Sequence, residues 1–143
     1  MIHNSETTNV TIQSLKEMLE NSNFEYSTDD EGDLYVSRNH LEIGTFIRLN
    51  LDSKLITFFT YAPIKPGVSE PDMYKFVNAV NLNILRSQFY AIGSENDGFF
   101  LYGRYAIHIK YGIDQNYLIL SLEKFAEAFM AGIGLDQNDE YFE

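Results

Sequence analysis

Residues Thr45 to Tyr61, TFIRLNLDSKLITFFTY, constrain this chain more than any other stretch. In TFIRLNL, Ile47, Leu49 and Leu51 fall on one side and Phe46, Arg48 and Asn50 on the other, the period of two that a strand imposes. LITFFTY, Leu55 to Tyr61, is rich in aromatic and β-branched residues and reads as a second strand. Only Leu51 to Lys54 joins them, which is the length of a tight hairpin connection. With a further strand expected at about Leu34–Ser37, this part of the chain is an antiparallel meander.

The flanking segments carry the helical period. From about Val10 to Asn21, an apolar side of Val10, Ile12, Leu15, Met18 and Leu19 opposes Lys16, Glu17 and Glu20, with Asn9 as the expected N-cap. Phe24 and Tyr26 begin an extended piece. Pro63, Pro66 and Gly67 end the meander. Ser69 and Asp72 then form an acidic variant of the capping box, and Pro71 suits a first helical turn. Met73, Phe76, Val77, Val80 and Ile84 follow at i, i+3, i+4, i+7 and i+11, which predicts a second amphipathic helix. Strands are expected at about Ser87–Ile92 and from Phe99 toward Ile109. A third helix is expected at about Asn116–Ala131, with a stripe of Leu118, Leu122, Phe125, Ala126 and Phe129, ended by Gly132 and Gly134.

The predicted order is α-β-β-β-α-β-β-α: an α+β single domain, an antiparallel sheet with helices packed on it. Residues 1–9 read as a flexible arm, 10–134 as the domain and 135–143 as a mobile acidic tail in which Tyr141 and Phe142 are able to dock. No βαβ unit occurs, so no dinucleotide fold is expected.

The chain has 143 residues, 45% of them apolar, the composition of one globular domain. It has no Cys, which excludes disulfides, thiolate metal sites and a Cys nucleophile. No signal-peptide pattern opens it and no apolar run is long enough to span a bilayer, so a cytoplasmic protein with no membrane association is expected. Its net charge of −11 argues against nucleic acid as a partner and reads first as solubility.

Two acidic loops, STDDEGDLYVSR (Ser27 to Arg38) and GSENDGFFLYGR (Gly93 to Arg104), share a pattern that invites a metal reading. An EF-hand loop with Gly at position 6 requires a bidentate acid at position 12. Both loops place Arg there, Arg38 and Arg104, so they are read as turns: Asp and Asn accept left-handed geometry and Gly supplies φ > 0. His3, His40 and His108 have no zinc spacing. No nucleophile elbow or phosphate-binding glycine motif occurs. No catalytic residue, cofactor or metal is expected. An enzyme or small-ligand reading would have to use His108, Arg104 and Tyr105. Asn78, Asn81 and Asn83 are unusual within a helix, and predict either a polar rim or a helix that packs through satisfied amides.

From helix 1 to helix 3 the chain resembles the YbjN-like family of small bacterial proteins, labelled sensory-transduction regulators. The resemblance lies in the leading helix, in DDEGDLYV, in TFIRLNL leading to LITFFTYA, in FVNAVN, in NDGFFL and in the final L-x-x-x-L-x-x-F helix. It implies the fold of type III secretion chaperones, small, acidic and homodimeric, and it brings no catalytic residues. The expected function is a non-catalytic bacterial regulatory or protein-binding domain, chaperone-like and homodimeric, with Met73, Phe76, Asn78, Val80 and Asn81 at the dimer or partner surface. The alternatives are a dedicated type III secretion chaperone for one effector, and a small-ligand-binding protein or enzyme.

Overall fold

The computed structural model describes residues 10–142; the expected arm, residues 1–9, lies outside them. The elements are α1 (Ile12–Asn21), β1 (Ser27–Thr28), β2 (Leu34–Val36), β3 (Thr45–Asn50), β4 (Leu55–Pro63), α2 (Glu70–Asn83), β5 (Gln88–Ser94), β6 (Gly98–His108) and α3 (Gln115–Ile133). The fold is α+β, as expected. β1 adds a strand before α2; two residues long, it is too short to show a period.

Each helix starts on a side-chain cap. Thr11, not Asn9, caps α1: its Oγ1 accepts the Ser14 N–H at 3.0 Å, and Ser14 Oγ accepts the Thr11 N–H at 2.8 Å. Ser69 caps α2 by accepting from the Asp72 N–H, and Asp114 caps α3 by accepting from the Tyr117 N–H. Such caps satisfy N–H groups that the first turn leaves without partners.

The six strands form one antiparallel sheet in the order β1-β2-β3-β4-β6-β5. Because β6 enters between β4 and β5, the connection through α2 carries the chain past one strand position. Leu34, Ile47, Ile56, Phe58, Leu101 and Phe89 point to one face, where Leu15 and Leu19 of α1, Met73 and Val80 of α2, and Leu118, Leu122, Phe125 and Phe129 of α3 bury them. Helix and sheet approach closely at Gly103, where a Cβ would stand 2.7 Å from Phe129 Cδ2.

Asn81 closes part of the sheet edge. Its Oδ1 accepts the Phe89 N–H at 2.9 Å, and its Nδ2 donates to the Phe89 carbonyl at 3.0 Å. One amide thus occupies the two backbone groups that β5 turns outward at Phe89, a site where an unpaired edge invites another chain. Asn81→Asp keeps the acceptor and sets an oxygen against the Phe89 carbonyl. It should cost about 1–2 kcal/mol in urea unfolding and speed hydrogen exchange at the Phe89 amide.

Residues 135–142 are packed rather than trailing. Phe142 is buried, and Tyr141 stacks on Phe76 with ring centroids 4.5 Å apart. The Asp136 carboxylate accepts the N–H groups of Glu140, Tyr141 and Phe142 at 2.8, 3.0 and 2.9 Å. Burial alone would raise its pKa, but these three donors outweigh burial and hold the carboxyl below its ordinary range. A carboxylate lowered on folding contributes its stability fully above the unfolded value of ~3.9 and loses it as pH falls through the lower folded value. Hydrogen exchange at the Glu140, Tyr141 and Phe142 amides should therefore accelerate selectively below that range, and at neutral pH in Asp136→Asn.

Candidate functional site

Among the described residues the helices cover one side of the sheet and not the other. The alternate strand positions project a layer of aromatic rings to the other. Tyr35 and Phe46 lie 4.8 Å apart, Phe46 and Phe59 5.1 Å, Phe46 and Tyr61 6.0 Å. Phe59 continues to Tyr102 at 6.0 Å, Tyr102 to Tyr90 at 6.2 Å, and Tyr61 to Phe100 at 5.8 Å. Cross-strand register makes these contacts: Phe46 faces Phe59, Tyr61 faces Tyr102, and Tyr90 faces Tyr102. Tyr61 on β4 is 46% exposed and Tyr90 and Ile92 on β5 are exposed, so the layer meets solvent there, while Phe59, two residues before Tyr61, is buried. Neighbouring rings bury Tyr102 enough to raise its phenol above the ordinary value.

Charge on the strand positions of this face is one-sided, and the carboxylates near it come from the β1–β2 turn. No strand position that projects here carries Asp or Glu, although the chain holds 21 acids. Arg48 lies 4.8 Å over the Phe59 ring, and is held there by Asp33, at 2.6 Å, and Glu31, at 3.2 Å, from the β1–β2 turn. Arg104 lies 5.4 Å over the Tyr90 ring and donates to Gln88 Oε1 and to the Tyr90 hydroxyl. Among the described residues no carboxylate pairs with Arg104.

The face runs into a groove. A hollow of 420 Å³ is lined by Tyr35, Phe46, Tyr61 and Arg38, with Asp29 at its β1 end, and a second of 550 Å³ by Arg38, Tyr61, Pro63, Met130 and Phe142. They share Arg38, Ile43 and Tyr61 where β4 runs on beyond β3.

Both acidic loops are hairpin turns. Asp29 Oδ1 accepts the N–H groups of Glu31 and Asp33, and Gly32 takes φ 86°. In the second, Ser94 Oγ accepts the Asp97 N–H, and Gly98 takes φ 93°. The carboxylates of Asp29, Glu31 and Asp33 lie within 4.8 Å of one another, but Arg48 already occupies Asp33 and Glu31.

The residues proposed from sequence are dispersed. Arg104 and His108 project to the aromatic face, while Tyr105, one residue on from Arg104, projects to the helix side and accepts from Arg86. These three do not converge. On α2, the expectation of a surface built from Met73, Phe76 and Val80 needs correcting, because their side chains are buried in the chain's own core. Their spacing marks the side of the helix that faces the sheet. Asn81 is engaged with Phe89, and Asn78 is exposed. The outer side of α2 instead shows Tyr74, Asn78 and Leu82, the last 78% exposed, with Leu85 beyond it at 84%. The alternation that sets Phe46 and Arg48 on one side of β3 continues through Phe59 and Tyr61 of β4, and the register of the strands joins these positions into one layer.

The model of one protein family, YbjN, described as "Putative bacterial sensory transduction regulator", matches residues 11–133. Among solved structures the chain is similar to YbjN from E. coli, with a TM-score of 0.77 at 14% identity, covering 94% of this chain and 96% of that one. It is similar also to an uncharacterized protein from Methanothermobacter thermautotrophicus, with a TM-score of 0.64 at 16% identity over 90% and 97% of the two chains. These likenesses carry the fold. No curated protein matches. Among the described residues no helix is long and apolar enough to cross a membrane.

Proposed function

The chain belongs to the YbjN family, and from that premise we propose that it is a non-catalytic regulatory domain that holds an extended protein segment on its open aromatic face, in the manner of a chaperone. One observation carries this reading: a sheet face that no described helix covers, built of packed rings of which Tyr61 and Tyr90 are exposed, with two arginines and no strand carboxylate, in a chain of net charge −11. Contiguous exposed apolar surface favours a protein partner. Aromatic and Arg side chains are the residues that anchor such interfaces. A segment with apolar and acidic residues complements the rings and Arg104, and the groove beside Tyr61 extends its path.

The test is a pull-down from native cytosol with three baits: the wild type, Tyr61→Ser with Tyr90→Ser, and a Tyr74→Glu, Leu82→Glu control. The altered tyrosines are exposed, so their loss should change stability by less than about 1 kcal/mol. A stoichiometric protein that the wild type and control retain and the tyrosine variant loses supports the reading. No partner, or one held equally by the tyrosine variant, retires it.

Homodimerisation belongs to the same proposal. Tyr74, Asn78 and Leu82 are exposed on α2, the helix that meets the β5 edge through Asn81, and on that edge Ala91 follows Phe89 with the same outward backbone direction. Light scattering at tens of micromolar is expected to give twice the 16.5 kDa chain mass, and half that value for Tyr74→Glu, Leu82→Glu. A monomeric wild type would remove this half of the proposal.

A further inference from the structure

On the helix side of the sheet, a second site stands apart from the aromatic face. The chain leaves α2 at Ile84 and reaches β5 through Leu85, Arg86 and Ser87. Facing that turn, α3 presents Ser121, Lys124, Phe125 and Ala128, which share one side of the helix. Ser121 and Ala128 are small, and where larger side chains would close the gap they leave a crevice of 240 Å³. That is room for about eight water-sized volumes at ~30 Å³ each.

The crevice has a defined polarity. Phe125, Ile84 and Ala128 make its apolar part, and Arg86 and Lys124 bring cations; no Asp or Glu lines it. The Arg86 guanidinium donates to the Tyr105 hydroxyl at 3.0 Å and lies 5.2 Å from the centre of that ring. The bond from Arg86 is the first cause that lowers the Tyr105 phenol from its ordinary value, with burial acting against it. Among the described residues no carboxylate pairs with Arg86. Lys124 meets Glu127 at 3.3 Å on an exposed side of α3, a pair weak enough to leave the ammonium free to turn inward.

We propose that this crevice binds a small monocarboxylate with an apolar body, the carboxylate on Arg86 with Lys124 and the Tyr105 hydroxyl beside it, and the body against Phe125, Ile84 and Ala128. The guanidinium fork matches the two oxygens of a carboxylate. The Tyr105 hydroxyl accepts from Arg86 and has the Tyr117 hydroxyl close by, so a ligand oxygen on Arg86 would meet a phenol proton there. A fully hydrated inorganic anion would leave the apolar part uncovered, whereas an apolar body displaces water from it.

The test is a titration of the ¹⁵N-labelled full chain with hexanoate and with benzoate, followed by NMR, with acetate and hexan-1-ol as controls. Both carboxylates are expected to cause saturable shifts at the Arg86, Ser121 and Lys124 amides in the millimolar range. Arg86→Gln should weaken them by about tenfold or more. Ala128→Leu keeps every charge and fills the hollow, so it should abolish the shifts, and the amide spectrum reports whether each variant is folded. Acetate lacks the body and hexan-1-ol the charge, and each should bind about tenfold more weakly or worse. Absence of saturable shifts with both carboxylates overturns the assignment. So does an affinity unchanged by Arg86→Gln, or hexan-1-ol binding as tightly as hexanoate.

Discussion

Phe129→Ala is expected to destabilise the chain by about 3–5 kcal/mol and to lower its melting temperature by roughly 10–20 °C. Phe129 is fully buried, with its ring 5.7 Å from Phe89 and 6.5 Å from Phe125. It is the residue through which α3 rests on the sheet at Gly103. Deleting the ring removes buried apolar surface and leaves a void that the facing glycine cannot fill, since it has no side chain to move. The reverse change, Gly103→Ala, inserts a methyl 2.7 Å from Phe129 Cδ2 and should cost about 1–3 kcal/mol through overpacking. Because the two residues share one contact, Gly103→Ala combined with Phe129→Leu should cost less than the sum of the single changes. Urea unfolding of the four proteins measures the cycle. Tyr102 and Arg104, on either side of Gly103, project to the opposite face. Partner capture by the folded fraction should therefore be unchanged in these core variants, which separates the stability of the domain from its recognition surface.

The hairpin at Thr45–Tyr61 and the cap-to-stripe pattern from Ser69 to Val80 are legible in the sequence because each rests on local chemistry: alternation in the first, a side-chain cap and a helical period in the second. The open aromatic face rests on something local patterns do not hold. In β4, Phe58 and Phe59 are adjacent and both buried, so alternation alone does not say which of them the helices cover. That answer comes from α3, which places Phe125 against Phe58 at 6.3 Å and leaves Phe59 to Arg48 and Tyr102. The bond from Asn81 to Phe89 joins a helix to a strand edge, and only the return of the chain after α2 makes it. The dispersal of Arg104, Tyr105 and His108 is different: on a strand, neighbours at i and i+1 always face apart, so this separation was readable. The pairing of Tyr105 with Arg86 was not, because Arg86 lies in the turn between α2 and β5.

Arg48→Met is expected to destabilise the chain by about 2–3 kcal/mol, a large loss for a half-exposed side chain. Arg48 Nε donates to Asp33 Oδ1 at 3.0 Å, and Nη2 donates to Oδ2 at 2.6 Å. The Asp33 side chain is only 5% exposed. Removing one member of a buried pair typically costs about 3–5 kcal/mol. The lower figure applies here because the Arg48 side chain is 48% exposed and water will reach the stranded carboxylate. Asp33→Asn, which leaves no buried charge behind, should cost less than Arg48→Met, and Arg48→Lys should fall between the wild type and Arg48→Met, since an ammonium cannot span both oxygens. Arg104 makes the contrast: its partners are the neutral Gln88 and Tyr90, and Arg104→Met should change stability by about 0.5 kcal/mol or less. Both arginines lie over rings of the open face, but Asp33 and Glu31 already neutralise Arg48. If an acidic segment docks there, Arg104→Met should weaken its capture strongly in a fully stable protein, and added salt should weaken the wild type toward the same level. Equal capture by Arg104→Met and wild type at low salt would leave the rings as the whole of the recognition surface.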